Sequence, residues 1–271
     1  MTAEARRSPR LELQAKVPPA SLGPARALVE SLYGSRKSKP NVAISLSSEI
    51  PVGAGLGSSA AAMVAITGAV SALEGWDLQP VDLAEAAGAG EKLVHGNPSG
   101  IDAATSALGG VIEFKRGLVP RTIVVSSSVE LLVVFSGRRR STGRLISKVG
   151  ETKAAYPSLF NGLTEGATIV SRLSAEALAA GDARTLGRLM TYSHAVLGRV
   201  GASTKRLDSL VDLCMRSGCL GAKLTGAGGG GSVVAVPPPK QGRQMLKKLT
   251  SKGYEAFLTS VPAAGARSWT E

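Results

Sequence analysis

Glu91 and Asp102 stand eleven residues apart in "EKLVHGNPSGIDAATSALGG", each beside a glycine-rich turn. Upstream, "EIPVGAGLGSSAAAMVAITGAV" sets Gly53, Gly55 and Gly57 ahead of Ser58, Ser59 and a run that reads as helical. A glycine loop feeding a helix N-terminus offers unpaired backbone N–H groups and the positive end of the helix dipole, which together suit an anion. Serine hydroxyls there add hydrogen bonds, or ligate Mg²⁺ beside a phosphate. One carboxylate for a metal and another for a proton are what phosphoryl transfer to an alcohol requires, because the protein mainly positions groups and stabilises charge. Plainer uses exist for each: a serine N-cap, a turn or capping aspartate at 102, a solvated helix-end glutamate at 91.

The kind of phosphate loop can be narrowed. A Walker loop needs a lysine after its last glycine, and none follows Gly57. A dinucleotide fingerprint would accept Gly53 and Gly55, but Ser58 takes the third place, and "SSEIPV" separates the loop from the strand before it. Glu74, about 20 residues on, is the one feature that keeps that reading in play. A second glycine cluster lies in "KLTGAGGGGSVVAV", where five of the six residues from Gly226 to Gly231 are glycine. That is more than a hairpin turn needs, and its N–H groups could form a second anion nest.

Bulk properties fit an ordinary globular protein of one large or two modest domains: 271 residues, 44% hydrophobic. No apolar run reaches the roughly 18 residues of a membrane span, and "MTAEARRSPRLELQ" has no apolar core of a secretory signal. Cys214 and Cys219, the only cysteines, lack zinc spacing and read as reduced thiols, which places the chain in the cytoplasm. The net charge is +12, with basic clusters at "RKSK", "RRRSTGR" and "KQGRQMLKK". A nucleic-acid binder is one reading of it, but only 4% of residues are aromatic and the clusters are scattered. A positive field also suits an enzyme for anionic small molecules.

The elements that must position these residues follow from pattern. The first ten residues read as disordered, and "PARALVESLY" (24–33) as a helix between Pro24 and Gly34. "NVAISLSSEI" (41–50) alternates Val42, Ile44 and Leu46 inward, a half-buried strand. Helices are expected at about 58–73 and 78–96, then a loop and short helix over 97–110, and three strands between 110 and 137. Residues 141–217 are mostly helical, with Leu159, Leu163, Ala167, Val170, Leu173 and Ala177 at helical spacing. "CLGAKLTG" and "GSVVAV" read as strands around the glycine run, "KQGRQMLKKLTSKG" as a helix, and "YEAFLTSV" as a closing strand. The mixture implies an α+β fold in two lobes, residues 1–128 and 129–271.

In this order the three motifs resemble those of the GHMP kinase superfamily, and within it the mevalonate kinase family. "EIPVGAGLGSSAA" is similar to the family's phosphate loop, "GNPSGIDAATSALGG" to its catalytic-aspartate segment, and "KLTGAGGGGSVVAV" to its third motif. The ending "GYEAFLTSVPAAGARSW" resembles the family's closing segment. The resemblance implies a two-lobed fold with a ferredoxin-like second lobe carrying added helices. It implies ATP and Mg²⁺ as cofactors, mevalonate as substrate, 5-phosphomevalonate as product, and a possible homodimer. It assigns the ATP phosphates to Pro51, Gly53, Ala54, Gly55, Leu56, Gly57, Ser58, Ser59, Ala60 and Ala61, and Mg²⁺ to Ser59 and Glu91. Asp102 would take the proton of the terminal hydroxyl; Thr142, Gly226, Ala227 and Gly228 would lie near the acceptor. His95 precedes "GNPSG" as a family histidine does and reads as a helix-end residue; His194 reads as packing or surface.

One departure is large. The family begins with a motif supplying an active-site lysine, and nothing in the 48 residues before "EIPVGAG" carries its pattern; Lys16 in "LELQAKVPPASLG" receives no role. The expectation is an incomplete first lobe with an uncovered sheet edge. A related small-acid kinase of phosphomevalonate or homoserine type, a related decarboxylase, and a non-catalytic nucleotide-binding remnant are the alternatives.

Overall fold

A computed structural model describes residues 1–15, 22–51, 53–95, 98–138 and 142–270, with positions 93–95, 142–144 and 146 described as backbone only. Lys16 and the side chains of His95 and Thr142 therefore lie outside the described residues. Two compact units result. The first takes Met1–Val52, Gly57–Thr122 and Ala263–Glu271; the second takes Gly53–Leu56 and Ile123–Pro262.

The first unit opens with β1 (Thr2–Arg7) and β2 (Glu12–Ala15), then α1 (Leu22–Gly34) and β3 (Val42–Ser47). The sheet runs β1-β3-β2, β1 antiparallel and β2 parallel to β3. Val42, Ile44 and Leu46 are buried as the alternation requires, with Ser45 and Ser47 outward. Residues 2–7 correct the expectation of disorder. Thr2 pairs with Ser47 and Arg7 with Val42, and only Ala3 and Ala5 turn partly inward. A charged strand with alanine as its sole apolar side chain is how an edge strand resists further pairing, and the same composition reads as disorder in sequence.

Helix α2 (Ser58–Glu74) packs on β1 and β3, and α3 (Pro80–His95) and α4 (Ile101–Leu108) pack on α2 and on each other, followed by the short strands β4 (Val111–Glu113) and β5 (Arg121–Ile123). Helix α2 buries nine residues, among them Ala60, Met63, Val64, Ile66 and Val70. Its small side chains let neighbouring helices approach, which is why it lacks a polar face. The core joins Leu28 and Val29 of α1, β3, α2, Leu83 and Ala87 of α3, and Ala103 and Ala107 of α4. The tail from Ala263 returns to α4: Gly110 N–H donates to Ala263 O (2.7 Å) and Ala266 N–H to Ala107 O (3.0 Å).

The second unit comprises β6 (Val129–Phe135), α5 (Thr142–Ala155), α6 (Pro157–Ala179), α7 (Ala183–Arg199), α8 (Lys205–Ser217), β7 (Gly221–Leu224), β8 (Ser232–Val236), α9 (Gly242–Thr250) and β9 (Ala256–Val261). Its antiparallel sheet has the order β7-β8-β6-β9. Counting those strands along the chain, the order is 2-3-1-4, the arrangement of a ferredoxin-like βαββαβ unit with α5–α8 in place of one crossover helix. Strands β6 and β8 read as continuous apolar runs because both faces are covered. Leu132, Val134, Val233 and Ala235 pack with Leu207, Leu210 and Cys214 of α8 and Leu249 of α9. Val129 and Val236 pack with Ala177 of α6 and Leu186, Leu189 and Met190 of α7. The apolar spacing along α6 does form one helix, yet Leu159 and Leu173 stay exposed on it.

Candidate active site

In the first unit, the sequence places glycine at the N-cap of both α2 and α4. Gly57 (φ 68°) and Gly100 (φ 85°) are in the left-handed region, where other L-residues are strained, and neither N-cap residue supplies a capping side chain, although at α4 Ser99 Oγ accepts from Ile101 N–H at 3.4 Å. The first-turn N–H groups of α2, from Ser58 onward, are thus not consumed by a capping hydroxyl. Ser58 is half-buried and Ser59 exposed, both in that first turn.

Asp102 is the second residue of α4, in its first turn. A Cβ on Gly57 would lie 3.6 Å from Asp102 Cβ and Cγ and 3.8 Å from Oδ1. The carboxylate therefore flanks the start of α2. Glu91, near the end of α3, is buried and not the solvated residue its position suggests. Burial pushes its carboxyl above the usual carboxylate range, and the nearby charge of Asp102 adds to that. Two acidic groups, one desolvated and one at the mouth of an uncapped helix, match the chemistry of a cation held beside a phosphate.

In the second unit, the loop Gly53–Leu56 is held by the start of β8. Ser232 Oγ donates to Ala54 O at 2.8 Å, with both residues buried. Gly231 lies under the same carbonyl: at φ 83°, a Cβ there would meet Ala54 O at 2.8 Å and Ala54 C at 3.1 Å. Gly231 itself is fixed, its N–H donating to Arg138 O (2.8 Å) and its O accepting from Ser136 N–H (2.9 Å). The third glycine motif is thus a backing for the first one, and Gly226 and Ala227 remain exposed while Gly228 is buried. Of the residues near the expected acceptor, Thr142 begins α5 and its side chain lies outside the described residues.

Two participants carry no sequence signal of their own. Ser232 looks like the first residue of an apolar strand, and only its place directly after a glycine run hints that its hydroxyl meets backbone. His194 was expected as packing or surface. Its ring is nearly buried, yet Nδ1 accepts from Leu224 N–H (3.3 Å) and Nε2 lies 3.2 Å from Asp208 Oδ1. Burial lowers its pKa, Asp208 opposes that, and Lys223 reinforces it.

The chain is similar to known proteins over most of its length. The GHMP kinases N terminal domain matches residues 24–110, and the GHMP kinases C terminal domain matches residues 174–255. A mevalonate kinase of Aeropyrum pernix is 36% identical over 254 residues, covering 93% of this chain and 78% of that one. A mevalonate kinase of Pyrococcus furiosus is 35% identical over 236 residues, 85% of this chain and 70% of that one. The crystal structure of L. major mevalonate kinase in complex with R-mevalonate superposes with a TM-score of 0.81 at 27% identity, over 97% of this chain and 87% of the other. With its glycine loops, paired acidic residues and ferredoxin-like unit, the chain belongs to the mevalonate kinase family of the GHMP kinases, a family of small-molecule kinases.

Proposed function

We propose that this chain transfers the γ-phosphoryl group of ATP to the terminal hydroxyl of mevalonate, giving 5-phosphomevalonate and ADP for isoprenoid biosynthesis. The observation that carries the reading is the Asp102 carboxylate lying against Gly57 at the uncapped start of α2. A group that takes a proton there sits where backbone N–H groups gather anionic oxygens.

In this reading Pro51 and the segment from Gly53 to Ala61 cradle the phosphates of ATP, with Gly53, Gly55 and Gly57 all at positive φ. Asp102 accepts the hydroxyl proton as the acceptor oxygen bonds to the γ-phosphorus and the bond from that phosphorus to the β-phosphate oxygen breaks. Ser59 and Glu91 would hold Mg²⁺. Among the described residues no three His, Cys, Asp or Glu side chains gather as a metal site. Mg²⁺ commonly takes one or two protein ligands and shares the rest with phosphate and water. When bound, the ion neutralises charge that builds on the phosphate oxygens. Thr142, Gly226, Ala227 and Gly228 line the acceptor side. The lobe with the phosphate loop and the base runs to about residue 128, and the second lobe follows it.

The test is a coupled ADP-release assay with mevalonate and MgATP, using Asp102→Asn as control. Loss of general-base catalysis costs about 10²–10⁴ in rate, while ATP titration stays within a factor of about two. Equal turnover in parent and variant removes Asp102 as the base. Faster turnover of homoserine or phosphomevalonate than of mevalonate overturns the substrate.

A further inference from the structure

We propose that His194 is a positioning residue for the glycine run Gly226–Gly230, resting on the reading above that this run lines the acceptor side. The inference starts from an edge. Among the described residues, strand β7 is the outer strand of its sheet, pairing only with β8. Thr225 N–H, just past β7, donates inward to Ser232 O (3.1 Å). Alternation along the strand then turns the Leu224 N–H outward, where no further strand takes it. The His194 ring of α7 takes it instead, through Nδ1 at 3.3 Å.

That bond fixes the tautomer. A neutral ring accepting at Nδ1 carries its proton on Nε2, which faces Asp208 Oδ1 at 3.2 Å. The same carboxylate oxygen accepts from Ser203 Oγ at 2.5 Å. Ser203 follows Ala202, whose carbonyl accepts from Gly229 N–H at 3.1 Å. The carbonyl of Ala202 also leaves no room for a side chain at Gly228, where a Cβ would lie 2.1 Å from it. The glycine run is therefore anchored at two points. Leu224 is tied to His194 before it, Gly229 is tied to Ala202 within it, and Asp208 joins the two anchors. A segment made almost wholly of glycine has the largest conformational freedom of any chain, so its fixed path must be imposed by such neighbours.

The experiment measures both structure and kinetics. In the ligand-free chain, His194→Ala speeds amide hydrogen exchange over residues 224–230 by about tenfold, the scale of one lost hydrogen bond. His194→Asn, whose side-chain oxygen can accept from Leu224 N–H, restores most of the protection. In the assay the KM for mevalonate rises several-fold in the Ala variant, with kcat and the KM for MgATP within a factor of about two. Asp208→Ala, at a half-exposed site, loosens the same amides from the other end of the tie. Unchanged exchange at 224–230 in both Ala variants overturns the tie. Faster exchange with an unchanged KM for mevalonate overturns the positioning role and leaves His194 purely structural. Failure of the parent chain to phosphorylate mevalonate defeats the functional reading alone, since the exchange result stands without turnover.

Discussion

Substituting Glu91 by Gln should stabilise the ligand-free protein while removing its response to Mg²⁺. The side chain is buried, and burial followed by the charge of Asp102 raises its carboxyl above the ordinary range. An acid whose folded pKa exceeds its unfolded value binds more protons when folded. Stability therefore falls as pH rises from the unfolded value, about 4.3 for glutamate, through the raised folded one, and the full penalty persists above it. At pH 7 the parent carries that penalty and the glutamine, nearly isosteric and uncharged, does not. Desolvating a polar group without full compensation costs on the order of 1–3 kcal/mol in mutational series, and more for a charged one, so a gain of at least about 1 kcal/mol is expected. Urea denaturation at pH 4 and pH 7, followed by a probe in the first unit, reads it. The advantage of the variant should be small at pH 4 and larger at pH 7. Adding Mg²⁺ with a nucleotide should stabilise the parent more than the variant, because the ion offsets the charge only where there is one. A glutamine variant less stable than the parent at pH 7, with no pH dependence in the difference, would refute the claim that Glu91 is a desolvated charge awaiting a cation.

The second unit supplies two further tests. Ser232→Ala removes the donor that holds Ala54 O, and MgATP should bind about three- to tenfold more weakly, the worth of one net hydrogen bond. An unchanged titration would show that the loop keeps its path without that bond. Gly231→Ala places a methyl 2.8 Å from the same carbonyl at a φ of 83°. The left-handed conformation alone costs about 1–2 kcal/mol, and the loop must also move. Both a lower unfolding midpoint and weaker MgATP binding are expected, whereas a midpoint drop with intact binding would separate the fold from the loop.

Much of the site was legible because its chemistry is local. A glycine loop, two serines and a helix start are consecutive in sequence, and so is the register of β3, where Val42, Ile44 and Leu46 alternate with exposed serine. The ferredoxin-like order of the second unit could not be read from its strands alone. Strands β6 and β8 are apolar on both faces, so periodicity says nothing about their neighbours; the motif resemblance supplied that fold. Strand β1 was invisible for the opposite reason, since its pairing with β3 is made by backbone and its side chains are those of a solvated edge. Glu91 misled through position. The end of a helix is usually exposed, but α3 packs between α1, α2 and α4, and only that packing buries the carboxyl. His194 and Ser232 belong to a third class, whose partners lie 30 and 178 residues away. No window of sequence contains such a pair.

The two glycine clusters also turn out to use glycine for different physical ends. In the first loop the requirement is conformational: Gly57 takes a left-handed angle so that α2 starts without a side-chain cap. At Gly231 it is steric as well, because the Ala54 carbonyl occupies the place of a side chain. The distinction has consequences for tolerance. A residue such as asparagine, which adopts the left-handed region more readily than most, can partly satisfy the first requirement, since the space beside Gly57 admits a Cβ at ordinary contact distance from Asp102. At Gly231 no side chain fits while Ala54 stays where Ser232 holds it. Sequence alone shows two similar runs of glycine; the contacts show one that shapes a helix start and one that makes room for the other.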